Sequence, residues 1–139
     1  MDLNQIVDRS EEGVVFEITN PVNGEVIYDS VGKEANPFYA KARGTDSKHY
    51  RAFSSARDST DAAWLRKSGK KSLELSEEER IERIIDSLVH TIIELYVVEN
   101  GKPIEQTAES YRDVFTRHAW LRNQLVTKIF NDSNFFMIA

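Results

Sequence analysis

Three histidines, His49, His90 and His118, are the side chains of this chain best suited to hold a metal ion or move a proton. Helical metal sites present their ligands in pairs three or four residues apart, so that both reach one ion from the same face. Each histidine falls on a different predicted helix, and none has a second histidine at that spacing. The spacing therefore predicts no metal centre. With no cysteine in the chain, thiolate ligands, thiol nucleophiles and disulfides are excluded. Only six glycines are present, none in a phosphate-cradling or nucleophile-elbow pattern. Carboxylates could do acid–base work, but Glu77, Glu78 and Glu79 open a helix, where negative charge is favoured by the dipole. Asp58 and Asp61 read as caps at a helix break. No catalytic residue and no cofactor is predicted, and the chain reads as a non-enzyme.

Aromatic residues are the more telling class. Trp64, Tyr111, Phe115, Trp120, Phe130, Phe135 and Phe136 crowd into the second half, and such side chains anchor cores and interfaces alike. The run Phe135-Phe136-Met137-Ile138-Ala139 is apolar at a position where chains are usually polar and exposed, so it is either packed on the domain or presented to a partner. Charge argues against nucleic acid, because a net charge of −5 and a pI near 5.2 oppose phosphate contacts. Arg66, Lys67, Lys70 and Lys71 cluster around Gly69 and read first as a solvated loop, second as an anion site.

The elements that would position these residues follow from periodicity. The 139 residues suit one domain, with a β-rich part over 1–44 and a helical part over 45–139. Val14, Phe16 and Ile18 alternate with Val15, Glu17 and Thr19, the period of a half-buried strand. Asn20-Pro21-Val22-Asn23-Gly24 is a turn, and Glu25 to Tyr28 is expected to return as its hairpin partner. A third strand follows Pro37, with Phe38, Ala40 and Ala42 on one face and Tyr39, Lys41 and Arg43 on the other. Asp46 or Ser47 caps a helix carrying Tyr50, Phe53 and Leu65, with a break expected near Asp58 to Asp61.

Ser76 and Glu79 form a capping box for the element expected to organise the rest, one helix from Ser76 to Val98 with Ile81, Ile84, Ile85, Leu88, Val89, Ile92, Ile93, Leu95 and Tyr96 on a wide apolar face. Asn100-Gly101 and Pro103 stop it. A short helix over residues 107–115, capped by Thr107 or Ser110, and a last helix from about Arg117 to Phe130 complete the chain. Strands first and helices after make an α+β fold with a small antiparallel sheet. The N-terminus has no basic segment with an apolar core, and no run reaches the roughly 18 apolar residues of a membrane span, so a cytoplasmic location is expected.

Several local patterns together resemble a known family. Asn20-Pro21-Val22-Asn23-Gly24-Glu25 and Gly44-Thr45-Asp46-Ser47 with Tyr50 are similar to the N-terminal half of the tail assembly chaperones of long, non-contractile-tailed phages. Gly101-Lys102-Pro103, the Tyr111 to Phe115 helix, Trp120-Leu121-Arg122-Asn123-Gln124 and Asp132-Ser133-Asn134-Phe135-Phe136 resemble that family's closing pattern. The matched stretches span about two-thirds of the chain; the linker from Lys67 to Ser72 matches nothing typical.

The resemblance implies a non-enzymatic protein of the host cytoplasm, absent from the finished virion. It would coat the tape measure protein, keep it soluble and help recruit tail tube protein. It implies that this chain is the shorter of two forms made by a programmed frameshift. A rod-like client also favours self-association, head-to-tail or as a spiral. Trp120, Leu121, Gln124, Phe135 and Phe136 are the residues expected nearest partner contacts, against the plainer alternative that Trp120 and Leu121 are core. Two rival readings are a structural tail protein (a tube or tail completion subunit) and a small DNA-binding regulator.

Overall fold

Alternation over the first strands and the helical period after them place the main elements, and the computed structural model describes all residues 1–139. In chain order they are β1 (Ile6–Asp8), β2 (Val14–Glu17), β3 (Tyr39–Ala42), α1 (Lys48–Ser68), α2 (Glu77–Val89), β4 (Ile92–Tyr96), β5 (Val98–Glu99), β6 (Lys102–Pro103), α3 (Ala108–Arg117), α4 (Ala119–Ile129) and β7 (Phe136–Ile138). The fold is α+β. Its sheet has the order β2-β3-β4 and is antiparallel throughout. Ala40 and Ala42 of β3 are fully buried, in one core cluster with Leu88 of α2, Leu125 and Ile129 of α4, and Leu95, which lies opposite Ala40 in the sheet. No helix is long and apolar enough to cross a membrane.

The expected helix from Ser76 to Val98 is corrected. Ser76 and Glu79 do close the capping box, but α2 ends at Val89, and residues 92–96 form the strand β4. Pairing explains the change: β4 satisfies the second edge of β3, with Ala40 opposite Leu95 and Lys41 opposite Glu94. The register then shifts, because Ala42 opposes Ile92 and leaves Ile93 as an extra residue. That bulge turns Ile92 and Leu95, three apart, toward the same core. A three-residue step of apolar side chains is also what a helix would show. Ile93 reaches over Gly13, whose φ of 91° and close approach to the Ile93 Cδ1 leave no room for a side chain.

Two other expectations change. Residues 25–27 do return antiparallel past the turn, but against residues 18–20 (Glu25 carbonyl with Asn20, Val26 with Thr19, Ile27 with Ile18), while the β2 ladder itself forms with β3 and Tyr28 bridges Pro37. The turn itself forms, with Asn20 and Asn23 side chains accepting the Val22 and Glu25 N–H groups and Gly24 at a φ of 75°. Helix α1 has no break at Asp58 to Asp61; it runs unbroken for 21 residues from its Ser47 cap to Gly69 in the left-handed region. Its polar middle is spent on α2 instead. Asp61 accepts a two-pronged contact from Arg83, and Arg57 donates to the Arg83 carbonyl and the Ser87 hydroxyl. Arg66 and Lys67 lie on its last turn, where cations suit the helix dipole, so the basic cluster is part helix and part loop.

Candidate functional site

The five candidate contact residues divide into two places. On α4, Leu121 faces the core at 3% exposure, Trp120 stands at the rim at 36%, and Gln124 is half-buried. Past the end of α4, Phe135 is buried at 1% while its neighbour Phe136 is 48% exposed. A helix of 11 residues spans about 16 Å, so Trp120 and Phe136 mark opposite ends of α4 and form no single site.

Beside Trp120 lies a cleft of about 430 Å³ lined by Phe38, Val97, Val98, Val114 and Leu121. Its rim is charged. Glu99 accepts from both Arg117 terminal nitrogens at 2.7 Å, Arg117 also reaches Asp113 at 2.8 Å, and His118 Nε2 lies 2.9 Å from Glu99. The Arg117 guanidinium, then His118, holds the Glu99 carboxyl down at about 2, well below the usual carboxylate range. His118 is thus a partner of a carboxylate at the boundary of the fold.

At the other end, β7 pairs antiparallel with β1, Ile6 opposite Ile138 and Asp8 opposite Phe136. This ribbon is anchored by Phe135, which meets Phe16 edge-on at 5.7 Å, and by the Arg9 N–H donating to the Phe135 carbonyl at 2.7 Å. Beyond the anchor it is exposed: Ile6, Phe136, Met137 and Ile138 keep between 45% and 65% of their surface. Strand partners 6, 8, 136 and 138 share one face of the ribbon, so Ile6, Phe136 and Ile138 make one apolar strip. The tail is therefore packed and presented at once, one phenylalanine for each role.

Gln124 does different work from a surface contact. Its Oε1 accepts the Thr19 N–H and its Nε2 donates to the Thr19 carbonyl, both at 2.9 Å, so one amide completes the backbone pairing at the end of β2. Gln106 does the same for Leu95 on the outer edge of β4, at 2.9 and 2.8 Å. Exposed strand edges invite further pairing, and these two side chains occupy them. In the sequence Gln124 reads as a partner contact and Gln106 carries no mark, because the backbone partner of each is defined only by the folded sheet.

The segments that carry the family resemblance also meet in space. Gln124 joins the hairpin turn through Thr19, and Thr45 donates to Asp132 at 2.9 Å. Gly44 lies against Ser10 so closely that a Cβ would fall 2.5 Å from its hydroxyl oxygen. His49 and His90, separate in the sequence, face each other across the α1–α2 groove. No group of three or more His, Cys, Asp or Glu side chains is arranged to hold a metal ion. Comparisons with protein-family models, with curated proteins and with solved structures find no match.

Proposed function

We propose that this chain is a phage tail assembly chaperone that binds the tape measure protein, keeps it soluble in the host cytoplasm and helps recruit tail tube protein, without catalysing a reaction. The observation that carries the reading is the ordered set of motifs resembling that family, from Asn20-Pro21-Val22-Asn23-Gly24 to Asp132-Ser133-Asn134-Phe135-Phe136. Support comes from the meeting of two of those motifs in the fold, Thr45 with Asp132 across 87 residues of sequence, and from Gln124 bonding Thr19 just before the first motif.

The physical demands of the role agree. A client with long amphipathic helices is held by apolar surface, and the Ile6, Phe136 and Ile138 strip and the Trp120 cleft both offer it. An acidic exterior at a net charge of −5 keeps such a complex soluble. Because the strip and the cleft lie at opposite ends of α4, a contact of one with the other between copies would be heterologous and would repeat along a rod. Self-association, head-to-tail or spiral, belongs to the same proposal. Leu121 and Phe135 contribute by holding these surfaces in place, Trp120 and Phe136 by touching the partner.

The test is co-expression with the tape measure protein of the same gene cluster. Truncation after Asn131 is unsuitable, since it removes the buried Phe135 along with the exposed tail. Phe136→Ser and Ile138→Ser change only the exposed strip. The reading requires soluble tape measure protein that co-purifies with the wild-type chain and is lost from the double variant. Tape measure protein that is soluble alone and never associates with this chain would remove the chaperone reading.

A further inference from the structure

His49 stands on the first turn of α1 and His90 ends α2, and their facing nitrogens, His49 Nε2 and His90 Nδ1, are 3.2 Å apart. Both rings sit on fixed supports. The Ser47 cap and the buried Tyr50 pin the start of α1. The His90 ring stacks on Phe53 with centroids 3.9 Å apart, while the residue's backbone N–H donates to the Asp86 carbonyl and its backbone carbonyl accepts from Arg43 at 3.2 Å. Two imidazole nitrogens this far apart, each about 2.0–2.1 Å from a shared ion, subtend an angle of about 100° at that ion, close to tetrahedral.

We propose that His49 Nε2 and His90 Nδ1 are a two-nitrogen site for a borderline divalent transition ion of the zinc, cobalt, nickel and copper class. The ion would clamp the first turn of α1 to the end of α2. The donor chemistry sets the class. The carboxylates lining the same groove are engaged elsewhere, Asp86 with Arg112 at 3.0 Å and Asp61 with Arg83 at 2.6 Å. Imidazole nitrogen without carboxylate oxygen favours these ions over calcium and magnesium. Space is available, because the groove of about 600 Å³ opens beside both rings and admits the waters that complete the coordination shell. Loading needs no net loss of a proton from two neutral rings. The N–H shared between the facing nitrogens moves to the far nitrogen of its own ring, which leaves each facing nitrogen a lone pair to give to the ion.

Sequence spacing hides the site, since its ligands are 41 residues apart. It stands independently of the chaperone reading. The full chain is titrated with Cu²⁺ and separately with Zn²⁺ at neutral pH, by calorimetry and, for Cu²⁺, by electron paramagnetic resonance. One ion per chain is expected, with nitrogen couplings from two imidazoles and a raised melting temperature in Zn²⁺. His49→Ala and His90→Ala should each weaken binding at least about tenfold, a loss of about 1.4 kcal/mol, and the double variant little further, because a chelate fails when either arm goes. His118→Ala should bind as the wild type does. The exposed His49 makes its variant the safer test of the fold, which circular dichroism checks. Undiminished affinity in His49→Ala and His90→Ala, or no saturable binding up to about 1 mM, would overturn the site.

Discussion

Phe135 and Phe136 are chemically identical neighbours with opposite surroundings, and substituting each separates what holds this fold from what it offers to a partner. Phe135 keeps 1% of its surface and meets Phe16 edge-on; Phe136 keeps 48% and lies on the ribbon strip. Burying a phenylalanine side chain contributes about 2–3 kcal/mol, and an edge-on aromatic pair adds about 0.5–1.5 kcal/mol. The cavity left behind brings Phe135→Ala to about 3–5 kcal/mol of lost stability. Phe136→Ala gives up only the half-covered surface of a ribbon side chain and should cost about 1 kcal/mol. Urea unfolding followed by circular dichroism reads both, provided the slope of the transition is unchanged. If the two variants lose similar stability, or if Phe136→Ala is the weaker fold, the division of the tail into anchor and strip is wrong.

Gln124→Ala strips the Thr19 N–H and carbonyl of their shared partner, so a loss of about 1–3 kcal/mol is expected by chemical denaturation, with Gln124→Glu failing to rescue because it cannot donate. Glu99 titrates near 2 in the fold and at about 4.5 when unfolded, so between those values the unfolded chain binds more protons. Its contribution is complete above about pH 4.5 and fades as pH falls toward 2. Water at this rim discounts the effect to about 1 kcal/mol, and Glu99→Gln should flatten the acid limb of the stability profile by that amount.

Much of the fold could be read because its signals are local. The Ser76–Glu79 capping box, the Ser47 and Thr107 caps and the alternation along β3 each depend on residues a few positions apart. Sequence and structure part where distant pairing decides the outcome. The bulge at Ile93 gave β4 the apolar spacing of a helix, and only the unfilled edge of β3 makes it a strand. Polar residues in the middle of α1 suggested a break, but Arg57 and Asp61 have partners on α2 that the sequence places far away. The same limit governs the candidate contacts. Two adjacent phenylalanines cannot be told apart by type, and Gln124 reads as a surface residue until Thr19 is seen beneath it.

The most direct measurement is co-purification of the tape measure protein with the wild-type chain and with a folded variant carrying Phe136→Ser and Ile138→Ser. A chaperone that holds its client on the exposed strip predicts a soluble complex with the first and insoluble client with the second. Equal recovery of the client with both chains would contradict the strip as the contact, and recovery of soluble client without either would contradict the proposed function itself.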